Sequence, residues 1–185
     1  MADRINQRVL SKNISITSEG AIGMVWLALS EPSNATDPSG VLIVFVLKKE
    51  GISSFEEITK TPLIEYDLSK RATPDGVESE SSDRFSFYLF HHGSSIGRDR
   101  YSFVKRSGIW RLAEIRNESL SLVEENGDEA VGDTRTEMTV NYLTGWCSRD
   151  EYKGNKFIKT IKKKIHLPII YLSGFTFDKI VHDYC

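Results

Sequence analysis

The sequence predicts an α+β fold with β dominant: mostly antiparallel strands and one to three helices, including an amphipathic basic helix near the C-terminus. Two observations carry that expectation. Short runs of alternating or continuous apolar residues recur along the chain, separated by Pro, Gly and Asn turn formers. Near the end, apolar residues fall instead at helical spacing, interleaved with lysines. With 185 residues, 39% of them hydrophobic and 27% charged, the chain can bury a full core as one domain over 1–185.

Asp3 to Lys12 could form a short helix with Ile5, Val9 and Leu10 on one side. Asn13 to Thr17 alternates polar and apolar residues, as a half-buried strand does. Ile22 to Leu29 and Val41 to Leu47 are nearly continuous apolar runs that suit central strands, with a Pro-rich loop between them. Ser53 to Ile58 reads as a short capped helix ended by Pro62, and Leu63 to Leu68 as a strand. Residues 69–83 (SKRATPDGVESESSD) are polar and rich in turn formers, which predicts a flexible internal loop. Thr73-Pro74 and the acidic Ser run within it are chemically open to phosphorylation.

Arg84 to Phe90 places Phe85, Phe87 and Leu89 on one face and Ser86, Tyr88 and Phe90 on the other. Tyr101 to Leu112 reads as a hairpin turning at Lys105 to Gly108. A second hairpin turns at Asn126-Gly127, and Thr136 to Tyr142 puts Met138, Val140 and Tyr142 on one face. The expected core comprises Trp26, Leu27, Leu42, Val44, Val46, Phe85, Phe87, Phe103, Trp110 and Val140. Ser148-Arg149-Asp150-Glu151 matches a capping box, so a helix is expected from there to His166, before Pro168. Ile169 to Leu172 and Phe175 to Val181 close the chain as two strands, or a strand and a short helix.

Catalytic readings are weak. His91 and His92 are adjacent, so on a strand they point to opposite faces and cannot share one ion. Cys147 would need a His and an orienting carboxylate or amide close by to act as a nucleophile. The small-residue loop Gly93 to Gly97, followed by Arg98, could present amides to a phosphate but fits neither phosphate-loop spacing. No cofactor, metal site or small-molecule substrate is expected. Cys147 and Cys185 are too few for a disulfide scaffold, and the opening MADRINQRVLSKN lacks a signal peptide's apolar core. The longest apolar run is seven residues, against the ~20 a spanning helix needs. These features predict an intracellular, cytoplasmic protein that can sit peripherally at a membrane.

Charge is the stronger signal. The whole chain carries −2, but Lys153, Lys156, Lys159, Lys162, Lys163 and Lys164 crowd a stretch without acids. Such a face attracts phosphates, whether on an anionic membrane surface or on nucleic acid, and lysine without arginine favours diffuse attraction over base-specific contact. It is equally what a solvated helix surface looks like. Glu114 to Glu137 holds eight acids and two arginines, an acidic edge suited to a basic partner or to another copy's lysines. The layout, a small β-rich domain with a polar loop and a basic patch, is similar to that of small viral matrix or accessory proteins. That resemblance implies a non-enzymatic assembly or adaptor protein that contacts an anionic surface and engages a protein partner or itself. The competing readings are a small-ligand or nucleotide-acting enzyme using His91, His92 or Cys147, and a protein-binding inhibitor or immunity-type module using the acidic edge.

Overall fold

In the computed structural model, the described residues are 7–8, 14–18, 21–30, 39–49, 55–61, 64–67, 73–81, 83–93, 95–125, 128–180 and 185. They form thirteen strands: β1 (Gln7–Arg8), β2 (Ile14–Ser18), β3 (Ala21–Ser30), β4 (Ser39–Lys49), β5 (Phe55–Lys60), β6 (Ile64–Asp67), β7 (Thr73–Ser81), β8 (Arg84–His92), β9 (Ser95–Arg106), β10 (Ile109–Glu125), β11 (Asp128–Asn141), β12 (Trp146–Lys153) and β13 (Lys156–Lys164). β1 to β6 make a first antiparallel sheet built on the β3–β4 pair. β7 to β13 make a second, seven-stranded sheet that runs as a meander in the order β13-β12-β11-β10-β9-β8-β7. The apolar runs over Ile22–Leu29 and Val41–Leu47 become β3 and β4; their side chains, and with them Trp26, Leu27, Leu42, Val44 and Val46, lie outside the described residues.

The α+β expectation is overturned. Among the described residues there is no α-helix, only two single 3-10 turns at Leu172–Gly174 and Phe177–Lys179. The helix expected over Ser53–Ile58 falls on strand β5, and the only described part of the Asp3–Lys12 helix, Gln7–Arg8, is extended. The amphipathic basic helix is a β-hairpin, β12–β13. Its turn is Gly154-Asn155, flanked by the paired Lys153 and Lys156, with Gly154 at a φ of 55° that only glycine adopts freely. The residues at helical spacing are mostly β-branched or aromatic (Phe157, Ile158, Ile161), so the local preference is ambiguous and the ladder with β11 decides it.

The expected loop also differs. Of residues 69–83, Thr73–Ser81 forms β7, paired along β8. One apolar anchor is enough because Val77 (4% exposed) faces the core opposite Phe87. The polar residues find partners on the other face: the Tyr88 hydroxyl donates to Glu78, and Glu80 meets Arg84, Ser86 and Arg100.

The core sits on one face of the second sheet, towards the end where β9 turns into β10. Phe85, Phe87 and Leu89 of β8 are buried there as the sequence suggests, but Ser86 and Tyr88 on the opposite face are buried as well, and only Phe90 of that face is exposed. In-register pairing stacks Phe85 on Phe103 and Phe87 on Tyr101, with ring centroids 5.4 and 4.9 Å apart. Trp110, Leu112, Ile115 and Val140 extend this layer across β10 and β11. The segment after β13 returns over it: Phe175 meets Phe87, Tyr101 and Phe103 edge-to-face, with Ile170, Leu172 and Ile180 buried beside it. Each buried ring contributes about 3 kcal/mol, and edge-to-face contacts add about 1 kcal/mol. This returning segment carries the two 3-10 turns and a single bridge, Tyr171 to Arg111, in place of the expected two strands or strand and short helix. A disulfide between Cys147 and Cys185, with Cα atoms 6.1 Å apart, ties its last residue to β12. No helix among the described residues is long and apolar enough to cross a membrane.

Candidate anionic-surface interface

Lysine placement follows from the hairpin. β13 pairs with β12 on one side and, among the described residues, has no strand on the other. Its side chains are exposed at every position except Ile161, which is half-buried, so neither face of β13 is covered. Strand alternation splits the lysines. Lys163 and Lys159 share the face of the core, in register with Cys147 and Glu151, whereas Lys162 and Lys164 lie on the opposite face, beside Ser148 and Trp146.

Two of the six lysines are engaged. The Lys159 ammonium lies 3.2 Å from the Glu151 carboxylate. Lys164 donates to the Thr144 carbonyl and lies 5.4 Å from the Trp146 ring centroid. Lys153, Lys156, Lys162 and Lys163 have no acidic partner among the described residues, and Lys153 stands directly opposite Lys156 at the hairpin tip. Like charges in register destabilise a hairpin in isolation. Immediately beyond, Phe157 and Ile158 are each about half exposed at 51%, with Phe157 edge-on to Tyr152 at 5.7 Å. A bulge between Glu151 and Tyr152 leaves Ile158 unpaired, which turns a second apolar side chain outward at the tip. The Arg135 guanidinium covers Tyr152 at 4.3 Å.

The other sequence-derived candidates do not converge with these lysines. His91 and His92 point to opposite faces of β8: His91 Nδ1 lies 3.6 Å from Asp99, whose other oxygen accepts from Asn117 Nδ2 at 2.7 Å, and His92 Nε2 lies 3.3 Å from Glu129. The His91 ring packs over Gly97, where a Cβ would come within 2.8 Å of it, so Gly97 serves packing between strands. Of the Gly93–Gly97 segment, Ser95 to Gly97 already belong to β9, and the Gly93 amide donates to the Ser95 carbonyl at 3.0 Å. Cys147 is buried in the core and spent in its disulfide. Among the described residues no three His, Cys, Asp or Glu side chains gather as a metal site. A groove of about 360 Å³ lies along Pro168–Tyr171, Ser173, Gly174 and Lys179, away from the histidines.

On the polar face of the sheet, Tyr88 is the titratable group whose environment shifts it. Burial, then its bond to Glu78, raises its pKa above the ordinary phenol value, against the lowering pull of Arg100 and Arg98. The Arg98 guanidinium lies 3.9 Å above the Tyr88 ring and pairs with Asp75 at 2.8 Å. These contacts pin β7 to β9 across β8.

The sequence reading missed the Gly154-Asn155 turn, although a Gly-Asn pair between two β-prone runs is a hairpin signal. It also missed the exposed Phe157–Ile158 pair, which a helix would have buried. No family model, no curated protein and no solved structure matches this chain.

Proposed function

We propose that this is a non-enzymatic assembly or adaptor protein that rests on an anionic membrane surface through the tip of the β12–β13 hairpin. The observation that carries the reading is the tip itself: outward Phe157 and Ile158, flanked by Lys153 and Lys156 with no acid opposite them. Apolar side chains of this size enter the headgroup boundary while lysines meet the lipid phosphates, each worth about 1 kcal/mol near the surface. A short strand hairpin gives a shallow contact, which suits reversible association.

The same hairpin supports a second reading, binding of single-stranded nucleic acid. Tyr152, Phe157 and the Arg135 guanidinium form an open aromatic and cationic cluster on the sheet, the kind of platform on which bases stack.

Binding to vesicles containing phosphatidylserine and to single-stranded RNA, measured in parallel, tests these readings. Replacing Lys153 and Lys156 by Gln is expected to weaken vesicle binding by up to about 30-fold, and added salt should weaken the wild type more than the variant. Equal binding of wild type and variant to vesicles, with loss on RNA alone, selects the nucleic-acid reading. Negligible binding to both refutes each. Replacing His91 and His92 together by Asn is expected to leave membrane binding intact.

A further inference from the structure

The β10–β11 hairpin reaches past its neighbours. β9 pairs with β10 only as far as Ser121, and β12 pairs with β11 only as far as Thr134. Residues 122–125 and 128–133 therefore form an arm that, among the described residues, has no strand on either side. Glu124 and Glu129 oppose each other across the arm, and Glu129 also lies 3.3 Å from His92 Nε2 at the end of β8. Acid facing acid costs stability in an isolated hairpin. Val123 and Val131 are 45% and 58% exposed on the same arm. The arm thus combines unpaired strand edges, an acid-on-acid pair and uncovered apolar side chains.

β13 has the complementary properties: a free backbone edge, Lys162 and Lys163 without acidic partners, and exposed apolar side chains. Lysines along an edge repel a second β13, so this edge cannot pair with its own copy in a symmetric way. The arm cannot pair with another arm for the same reason. An acidic strand on a lysine strand satisfies both, and main-chain hydrogen bonds fix the register.

We infer that the acidic β10–β11 arm of one copy adds to the β13 edge of a second copy. The inference rests on the reading of β13 as an electrostatic contact surface and names its protein partner. Because the two surfaces differ, the contact is heterologous: each copy keeps one free arm and one free edge, so assembly continues into chains or rings instead of stopping at a dimer.

Sedimentation velocity of the full chain over a range of concentrations, at roughly 50 mM and again at about 500 mM salt, tests this. Wild type is expected to form species beyond a dimer at low salt and to dissociate at high salt. Lys162→Glu with Lys163→Glu, and separately Glu124→Lys with Glu129→Lys, should each weaken association by about tenfold or more. Mixing the two variants restores it, because each supplies the surface the other lacks. Circular dichroism checks that both variants remain folded. Wild type that stays monomeric at low salt, variants that associate like wild type, or a mixture that fails to associate each overturn the inference. Vesicle binding by a protein that does not self-associate would leave the membrane reading standing alone; self-association without vesicle binding would do the reverse.

Discussion

The two edges of the seven-stranded sheet, β7 and β13, are both polar in sequence and end in opposite states. β7 is anchored by Val77 in the aromatic core, its acids are matched by Tyr88, Ser86, Arg84 and Arg100, and it runs beside β2 and β3 of the first sheet. β13 buries no side chain, and four lysines on its hairpin lack an acidic partner among the described residues. The difference teaches that polarity alone does not make an edge free. What matters is whether the polar groups find partners across the neighbouring strand and whether one apolar residue reaches the core. A matched edge is structural; an unmatched one carries charge that a partner can use.

The largest effect lies in the core that one edge reaches and the other does not. Phe103→Ala is expected to cost about 4 kcal/mol, because the residue is fully buried and touches Phe85, Phe87 and Phe175. Urea titration followed by circular dichroism measures it; a loss under about 1 kcal/mol would show that the stacked rings do not hold the sheet.

Next comes the covalent tie on the β12 side. Cys185→Ser opens a bond between residues 38 apart in sequence, and a loop of that size predicts a loss of about 4 kcal/mol or less. Comparison of melting with and without reductant gives the same quantity for the wild type. Identical curves would show that the returning segment is held by Phe175 and Leu172 without the bond.

The edges themselves are compared by truncation. Val77→Ala should cost about 2 kcal/mol. Phe157→Ser, and Lys162→Gln with Lys163→Gln, should change stability by no more than about 0.5 kcal/mol in either direction. A substantial loss from Phe157→Ser would mean that β13 is an anchored edge like β7, and the contrast would fail.

The smallest effect is a pH dependence confined to the β7 side. Tyr88 has a raised pKa in the folded protein, so the fold binds its proton more tightly than the unfolded chain does. Its contribution is fully present below the ordinary phenol value of about 10 and is lost as pH rises through the folded value. Denaturant midpoints should therefore fall on the alkaline side, and Tyr88→Phe should remove that part of the slope. An unchanged slope in the variant would place the alkaline loss elsewhere.

The sequence by itself determined the strands whose periodicity leaves one solution. Phe85, Phe87 and Leu89 alternate with Ser86, Tyr88 and Phe90, a period of two that only a strand satisfies, and β8 follows, although burial of Ser86 and Tyr88 on its second face was not legible. The turn at Lys105–Gly108 was legible as well, and so were β3 and β4, where apolar residues run nearly without a break. The concentration of lysines after residue 152 was also legible, because charge is counted without knowing the backbone. Tertiary structure alone decided the rest. In Ser148–His166 a capping box and helically spaced isoleucines compete with β-branched residues and a Gly-Asn turn, and only pairing with β11 resolves them. Residues 73–81 become a strand because their polar side chains meet Tyr88, Ser86, Arg84 and Arg100, partners that lie on other strands. Cys147 and Cys185 meet because the last segment folds back over the aromatic layer. Local preference acts within a few residues of a position, whereas ladder hydrogen bonds, cross-strand charge and core contacts join residues far apart in sequence, and where the two disagree the long-range terms win.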